Sequence, residues 1–297
     1  MNKNTLIGRP AIGLALAALV VLAGVALQAA PTAPKAPAPA ATVLEYKMPA
    51  GRALTYQTKS EETQVMEVMG QSMDTHATNS STVTFKSKGP KDKNLLLGVT
   101  LDEMAASFTS SAAGDMSPDM SSLKGKSFDM VLSPLGSEVD VAAAEAIKYD
   151  MAGATRNISS GFKMFFPDLP GKSVKVGDTW PSNAGVDEDM GEMKMRMDFK
   201  NVCTLEGFET VDGMECARVS TAVTGTLTGS GSQQGMDMTF AGTTKGKETW
   251  YFAIKEGLFI KSTSETTTEM SIDVPAAGMT IPATATAKSE VKLTAKQ

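Results

Sequence analysis

Period-two alternation is the feature that most constrains this chain. Stretches such as Leu54-Thr55-Tyr56-Gln57, Thr82-Val83-Thr84-Phe85-Lys86 and Met193-Lys194-Met195-Arg196-Met197-Asp198-Phe199 put an aliphatic, aromatic or thioether side chain at every second position. Successive side chains of a strand point to opposite faces, so this pattern gives one apolar and one wet face. Gly, Pro, Asn and Asp punctuate the joins. The chain is therefore expected to be mainly β, with about ten to fourteen strands. An antiparallel sheet with one buried face is the usual way to use such strands. A hydrophobic content of 42% is enough for a folded core.

One segment departs from the pattern. Ile147, Met151, Ala154, Ile158, Phe162 and Phe165 recur at intervals of three and four, which predicts one or two helices around residues 142–166 lying across the sheet. Ala142-Ala143-Ala144 supports a start there and Pro167 a stop. Strand-like sequence flanks this segment at about 43–135 and 173–296, so a single domain over 43–297 with two similar halves is one reading of the organisation.

The N-terminus reads as an export signal. Lys3 and Arg9 precede an uncharged run from Ala11 to Leu27, and small residues follow at Ala29 and Ala30. This is the layout of a signal peptide over 1–29. The alternative is an uncleaved membrane anchor, for which the run is at the short limit. Val25 stands where a lipoprotein would carry its lipidated Cys. Residues 30–42 are Pro/Ala-rich and read as an extended tether. The expected localisation is periplasmic or extracellular, with membrane contact limited to the signal peptide, or to the N-terminus if the anchor persists.

Several functions are disfavoured. A net charge of -5 does not suit a nucleic-acid partner. The single His, His76, leaves little for acid–base work near neutral pH, and two Cys with one His do not make a usual zinc site. Ser121-Ser122-Leu123-Lys124 has the Ser-x-x-Lys spacing without its companion motifs, and neither a Gly-x-Ser-x-Gly elbow nor a P-loop is present. The acidic run Asp187-Glu188-Asp189 with Glu192 lacks EF-hand spacing and reads as a solvated loop. No catalytic residue, cofactor-binding residue or metal ligand is assigned, and no enzyme is expected.

Two residue types invite a structural reading. In an exported chain, Cys203 and Cys216 are expected to form a disulfide. That requires a wide loop from about Glu206 to Gly213, because a tight turn at Asp212-Gly213 would instead set Glu209 opposite Cys216. Methionine is abundant, with 20 residues and clusters at Met66/Met69/Met73, Met190/Met193/Met195/Met197 and Met236/Met238. Thioethers bind Cu(I), but they also fill irregular apolar space, and an adaptable apolar lining is the preferred expectation.

Two phrases carry a resemblance. Phe166-Pro167-Asp168-Leu169-Pro170-Gly171-Lys172-Ser173-Val174-Lys175-Val176-Gly177-Asp178-Thr179-Trp180, and before it Gly125-Lys126-Ser127-Phe128-Asp129-Met130-Val131-Leu132-Ser133-Pro134-Leu135-Gly136, resemble phrases of exported bacterial β-rich proteins in a domain-of-unknown-function family. The resemblance covers about Leu44 to Leu293. It implies a curved antiparallel sheet similar to the half-barrel of periplasmic lipoprotein carriers, and it hands over no catalytic residues. The resulting expectation is a non-catalytic binding module for an apolar small molecule, a lipid or a lipid-bearing envelope partner. The alternatives are a structural or interaction protein of the cell envelope and, third, a Met-rich copper binder.

Overall fold

The computed structural model describes residues 41–297 except 112–113, 152–153, 191 and 234. The expectations for the signal peptide and most of the tether therefore lie outside the described residues.

Twelve strands form one curved, unclosed antiparallel sheet. In chain order the strands are β1 (Ala53–Val68), β2 (Gln71–Lys91), β3 (Asn94–Ser110), β4 (Gly114–Met116), β5 (Ser127–Leu132), β6 (Glu138–Asp140), β7 (Lys148–Met151), β8 (Ala154–Asn157), β9 (Thr179–Met190), β10 (Met193–Val211), β11 (Met214–Gln233), β12 (Met236–Ala253), β13 (Leu258–Val274) and β14 (Met279–Lys296). Across the sheet the order is β6-β5-β3-β2-β1-β14-β13-β12-β11-β10-β9, with β4 beside β3. The C-terminal strand β14 thus enters between β1 and β13 and joins the two flanking stretches of chain into one sheet. Most of the strands are two to four times the common length of about five residues. Twisted sheets of such strands coil: Met66 of β1 and Val186 of β9 belong to one buried cluster although five strands separate them.

Hairpin turns set the register. Asp212 and Gly213 both adopt positive φ, 50° and 76°, between β10 and β11, as a two-residue type I′ turn requires. The pairing that follows is Val211 with Met214, Glu209 with Cys216 and Cys203 with Thr221. This corrects the expected disulfide: Cys203 and Cys216 are free, buried thiols. The turn-forming dipeptide prevails over any pull toward a wide loop, and it leaves the two cysteines out of register.

The segment over 133–178 crosses the concave face, but not as a helix. Short 3-10 turns at Ala142–Ala146 and Ser159–Phe162 flank the two-stranded hairpin β7–β8. The expected helices are corrected accordingly. Ile147, Tyr149 and Met151 also satisfy a period of two, and this is the period the structure uses: all three face apolar clusters. Asn157 Oδ1 accepts the Ser159 N–H at 2.9 Å, a local turn that competes with helix.

The two phrases that carried the resemblance meet as a clasp at the end of this segment. Leu169 N–H donates to Leu135 O at 2.7 Å. Ser137 Oγ donates to Asp168 Oδ1 at 3.3 Å and Ser182 Oγ to Asp168 Oδ2 at 2.8 Å. Trp180 Nε1 donates to Asp168 O at 2.9 Å, and Tyr46 Oη to Pro167 O at 2.9 Å. Gly136 has φ 98°, and a Cβ there would run into the Pro167 carbonyl and the Tyr46 ring. These motifs therefore pin the crossing segment to the sheet. Among the described residues no helix is long and apolar enough to cross a membrane.

Candidate functional site

The inward-facing rows of the strands are banded. Along β1 they read Leu54, Tyr56, Thr58, Ser60, Glu62, Gln64 and Met66, apolar at both ends and polar between. The inward row of β13 repeats this, from Ile260 through Ser262, Ser264, Thr266 and Thr268 to Met270 and Ile272. Register aligns the polar middles. Ser60 pairs with Ser289, Ser289 with Ser264, Ser264 with Glu248, Glu248 with Thr221 and Thr221 with Cys203. A polar floor thus runs across six neighbouring strands.

Above this floor lies a cavity of about 730 Å³, within the size range of small-molecule sites. Its roof comes from the crossing segment, including Tyr149, Arg156, Ile158, Phe162, Met164 and Phe165. Phe162 and Phe165 belong to an aromatic group with Tyr56, Phe85, Phe128 and Phe166, with ring centroids 4.7–6.2 Å apart. The roof is therefore apolar around Phe162 and Phe165 but carries charge at Glu138, Arg156 and Lys163, and the floor is largely polar.

Four carboxylates face this space, Glu62 buried and Glu138, Glu188 and Glu248 half-buried. Burial pushes Glu62 up to about 8, with no compensating group. Glu138 is also pushed to about 8 by burial, although its Oε1 accepts the Phe166 N–H at 3.0 Å. Burial raises Glu248 to about 7, partly offset by the Ser262 hydroxyl. Glu188 is raised by burial and held back by the Ser160 hydroxyl, Arg156 and Lys163. Burial disfavours the charged form, which is the direction seen in all four.

The residues singled out from sequence are distributed unevenly. Cys203 lines the cavity, with Sγ 3.4 Å from Thr221 Oγ1, and burial pushes its thiol up to about 12. Cys216 lies in the main core, with its thiol pushed up to about 11 by burial. Thiols held so high carry little thiolate at neutral pH and make poor nucleophiles. Of the methionines, Met104, Met120, Met151 and Met164 line the cavity. Met66, Met195, Met197 and Met238 instead pack together at the far end of the curled sheet. The acidic run is strand β9 rather than a loop: Glu188 turns inward while Asp187 pairs with Arg196 at 2.7 Å. His76 is exposed, its Nδ1 3.3 Å from Thr63 Oγ1. Among the described residues no group of three or more His, Cys, Asp or Glu could hold a metal ion.

Sequence reasoning missed Glu62, Glu138 and Glu248. A signal for two of them was available. Counting by twos from Tyr56 reaches Glu62, and from Trp250 reaches Glu248, so alternation alone places both on the buried face.

No family model matches this chain. No curated protein matches it either. Among solved structures, an outer membrane channel of the COG4313 group from Pseudomonas putida F1 is similar at 8% identity, covering 84% of this chain and 97% of that one, with a TM-score of 0.27. The Pseudomonas aeruginosa protein OccK5 gives 6% identity, 82% and 98% coverage and a TM-score of 0.27. A DUF1329 family protein from Desulfovibrio piger gives 11% identity, 80% and 85% coverage and a TM-score of 0.16. At such TM-scores these likenesses carry no argument, and the reading rests on the structure itself. Its outward rows carry Lys59, Glu61, Glu265, Lys288, Glu290 and Lys292, all exposed. A lipid-facing strand band is apolar, and this exterior is charged.

Proposed function

We propose that this chain is an exported, non-catalytic binding module that holds an apolar ligand, or the lipid of a partner, between the concave sheet and the crossing segment. The observation that carries the reading is the cavity of about 730 Å³ between an aromatic roof and the inner face of the sheet. A close-packed interior would instead suit a purely structural protein. Folded interiors are normally dense, with few voids larger than a water molecule, so a partly open space of this size beneath the crossing segment marks a site. The space fits one chain of an amphiphile better than a bulky polar substrate, because Phe162, Phe165 and Met164 cover it.

The test is native mass spectrometry of the mature chain purified from its own compartment. A bound mass released as lipid on activation is the expected result. A clean apo mass, with no uptake of added single-chain amphiphile, would overturn the reading and leave a structural role in the envelope. Copper retained through desalting would overturn it in favour of the methionine clusters.

A further inference from the structure

The roof and floor of the lumen balance charge differently. At the β9 edge of the sheet, Glu188 is stabilised by Arg156, Lys163 and the Ser160 hydroxyl of the roof, and in the crossing segment Glu138 is occupied by the Phe166 N–H. On the floor, Glu62 is 9% exposed, and among the described residues its carboxylate meets no cation and no hydrogen-bond donor. Its cross-strand neighbour on β14 is Ala287, which offers none. Ser264 is 3% exposed, lines the same floor, and has a hydroxyl with no hydrogen-bond partner. Glu248, beside Ser264 in register, adds a second carboxylate.

Resting on the lumen as a ligand site, we propose that its floor takes the ammonium end of a cationic amphiphile while the apolar chain lies under Phe162 and Phe165. A buried carboxylate without a partner is unfavourable, and an ammonium group supplies both the missing charge and up to three donors. An anionic head group would meet Glu62 and Glu248 on the floor, while the cations that line the lumen, Arg156 and Lys163, already act on Glu188. An uncharged alcohol could satisfy a hydrogen bond but would leave the carboxylates uncompensated. The two uncommitted acceptors, Glu62 and Ser264, and the register partner Glu248 lie on β1, β13 and β12, so the floor is fixed by the most regular part of the fold.

The experiment compares three probes of one chain length with the full chain at pH 9, where Glu62 and Glu248 are mostly ionised and an alkylammonium keeps its proton: dodecylamine, dodecanol and dodecanoate, each kept monomeric. Trp250 lines the cavity and reports entry through its fluorescence, and native mass spectrometry gives the stoichiometry. Dodecylamine is expected to bind one to one and at least tenfold more tightly than the other two. The double variant Glu62→Gln, Glu248→Gln is expected to erase that preference, so that the amine and the alcohol bind alike. If the alcohol or the acid binds the native chain as tightly as the amine, the lumen stands as a ligand site and the head-group selection is overturned. If the double variant keeps the preference, the assignment to the floor is overturned. If none of the three enters, the lumen reading fails and this inference with it.

Discussion

The two ends of the curled sheet solve the same problem with different materials. At one end Tyr56, Phe85, Trp250, Phe252 and Phe259 are covered by residues of the crossing segment such as Ile158, Phe162, Phe166 and Leu169. Rings meet there edge to face, and buried polar tips are satisfied: Tyr56 Oη donates to Phe259 O at 2.8 Å. At the other end Met66, Met195, Met197 and Met238 pack with Phe199, Leu227, Phe240 and Ile272, and among the described residues only Met164 reaches in from the crossing segment. One end has a second layer with fixed geometry. The other is closed mainly by the strands themselves, whose spacing is set by twist, and unbranched thioethers fill what the twist leaves. The polar lumen lies between a rigid end and an adaptable one.

That contrast is broken most severely at Phe85. It is fully buried and touches the aromatic rings of Tyr56, Phe162, Phe165 and Phe166. Phe85→Ala is expected to cost about 4 kcal/mol, as large-to-small changes in rigid cores do, and to loosen the roof. Urea unfolding followed at Trp250 measures the cost, and limited proteolysis within 142–165 measures the loosening. A loss below about 1 kcal/mol would show that this end adapts as freely as the other.

What could be seen in the sequence divides along the same line. The sheet was legible because alternation is local: Thr82 to Lys86 declares its buried face without reference to any other strand. The tight turn at Asp212-Gly213 is legible too, and so is its consequence, Glu209 opposite Cys216; the case for a disulfide came from the even cysteine count and the compartment, not from the local sequence. The crossing segment was not legible. Ile147 to Phe165 fits a period of 3.6, while Ile147, Tyr149 and Met151 fit a period of two. The choice depends on Ala77 and Phe108 of the sheet, which receive Met151 from the hairpin. The cavity was legible only in half: its floor follows from counting by twos, but its roof exists because distant phrases around Gly136 and Asp168 clasp.

The lumen between the two ends should respond to pH. Glu62 has its carboxyl pushed up to about 8 in the folded state by burial, against an ordinary value near 4.3 when unfolded. Below the unfolded value both states are protonated and the carboxyl costs nothing. As pH rises toward about 8 the unfolded state ionises first, so stability falls across that window. Glu138 and Glu248, raised to about 8 and about 7, act in the same direction. Glu62→Gln is therefore expected to match the native chain at pH 4 and to exceed it by up to about 5 kcal/mol at pH 8.5, the linkage value of such a shift. Urea midpoints at the two pH values test this. A variant less stable than the native chain at pH 8.5 would mean that a cation already compensates Glu62.

The smallest effect should come from the adaptable end, and it sharpens the comparison because the same conservative class of change can be made at both. Met197 is buried in the methionine-rich cluster, beside Leu227 in register. Met197→Leu keeps volume and apolarity and is expected to cost less than about 1 kcal/mol, since neighbouring thioethers can re-pack around the branch. Phe85→Leu at the other end also stays apolar, yet it removes a ring that four other rings contact edge-on or tilted. Its cost should exceed that of Met197→Leu by at least about 1 kcal/mol, the order of the aromatic pair terms alone. Equal costs would mean that the far end is as tightly specified as the aromatic one, and that its methionines stand at fixed positions for a reason other than filling space.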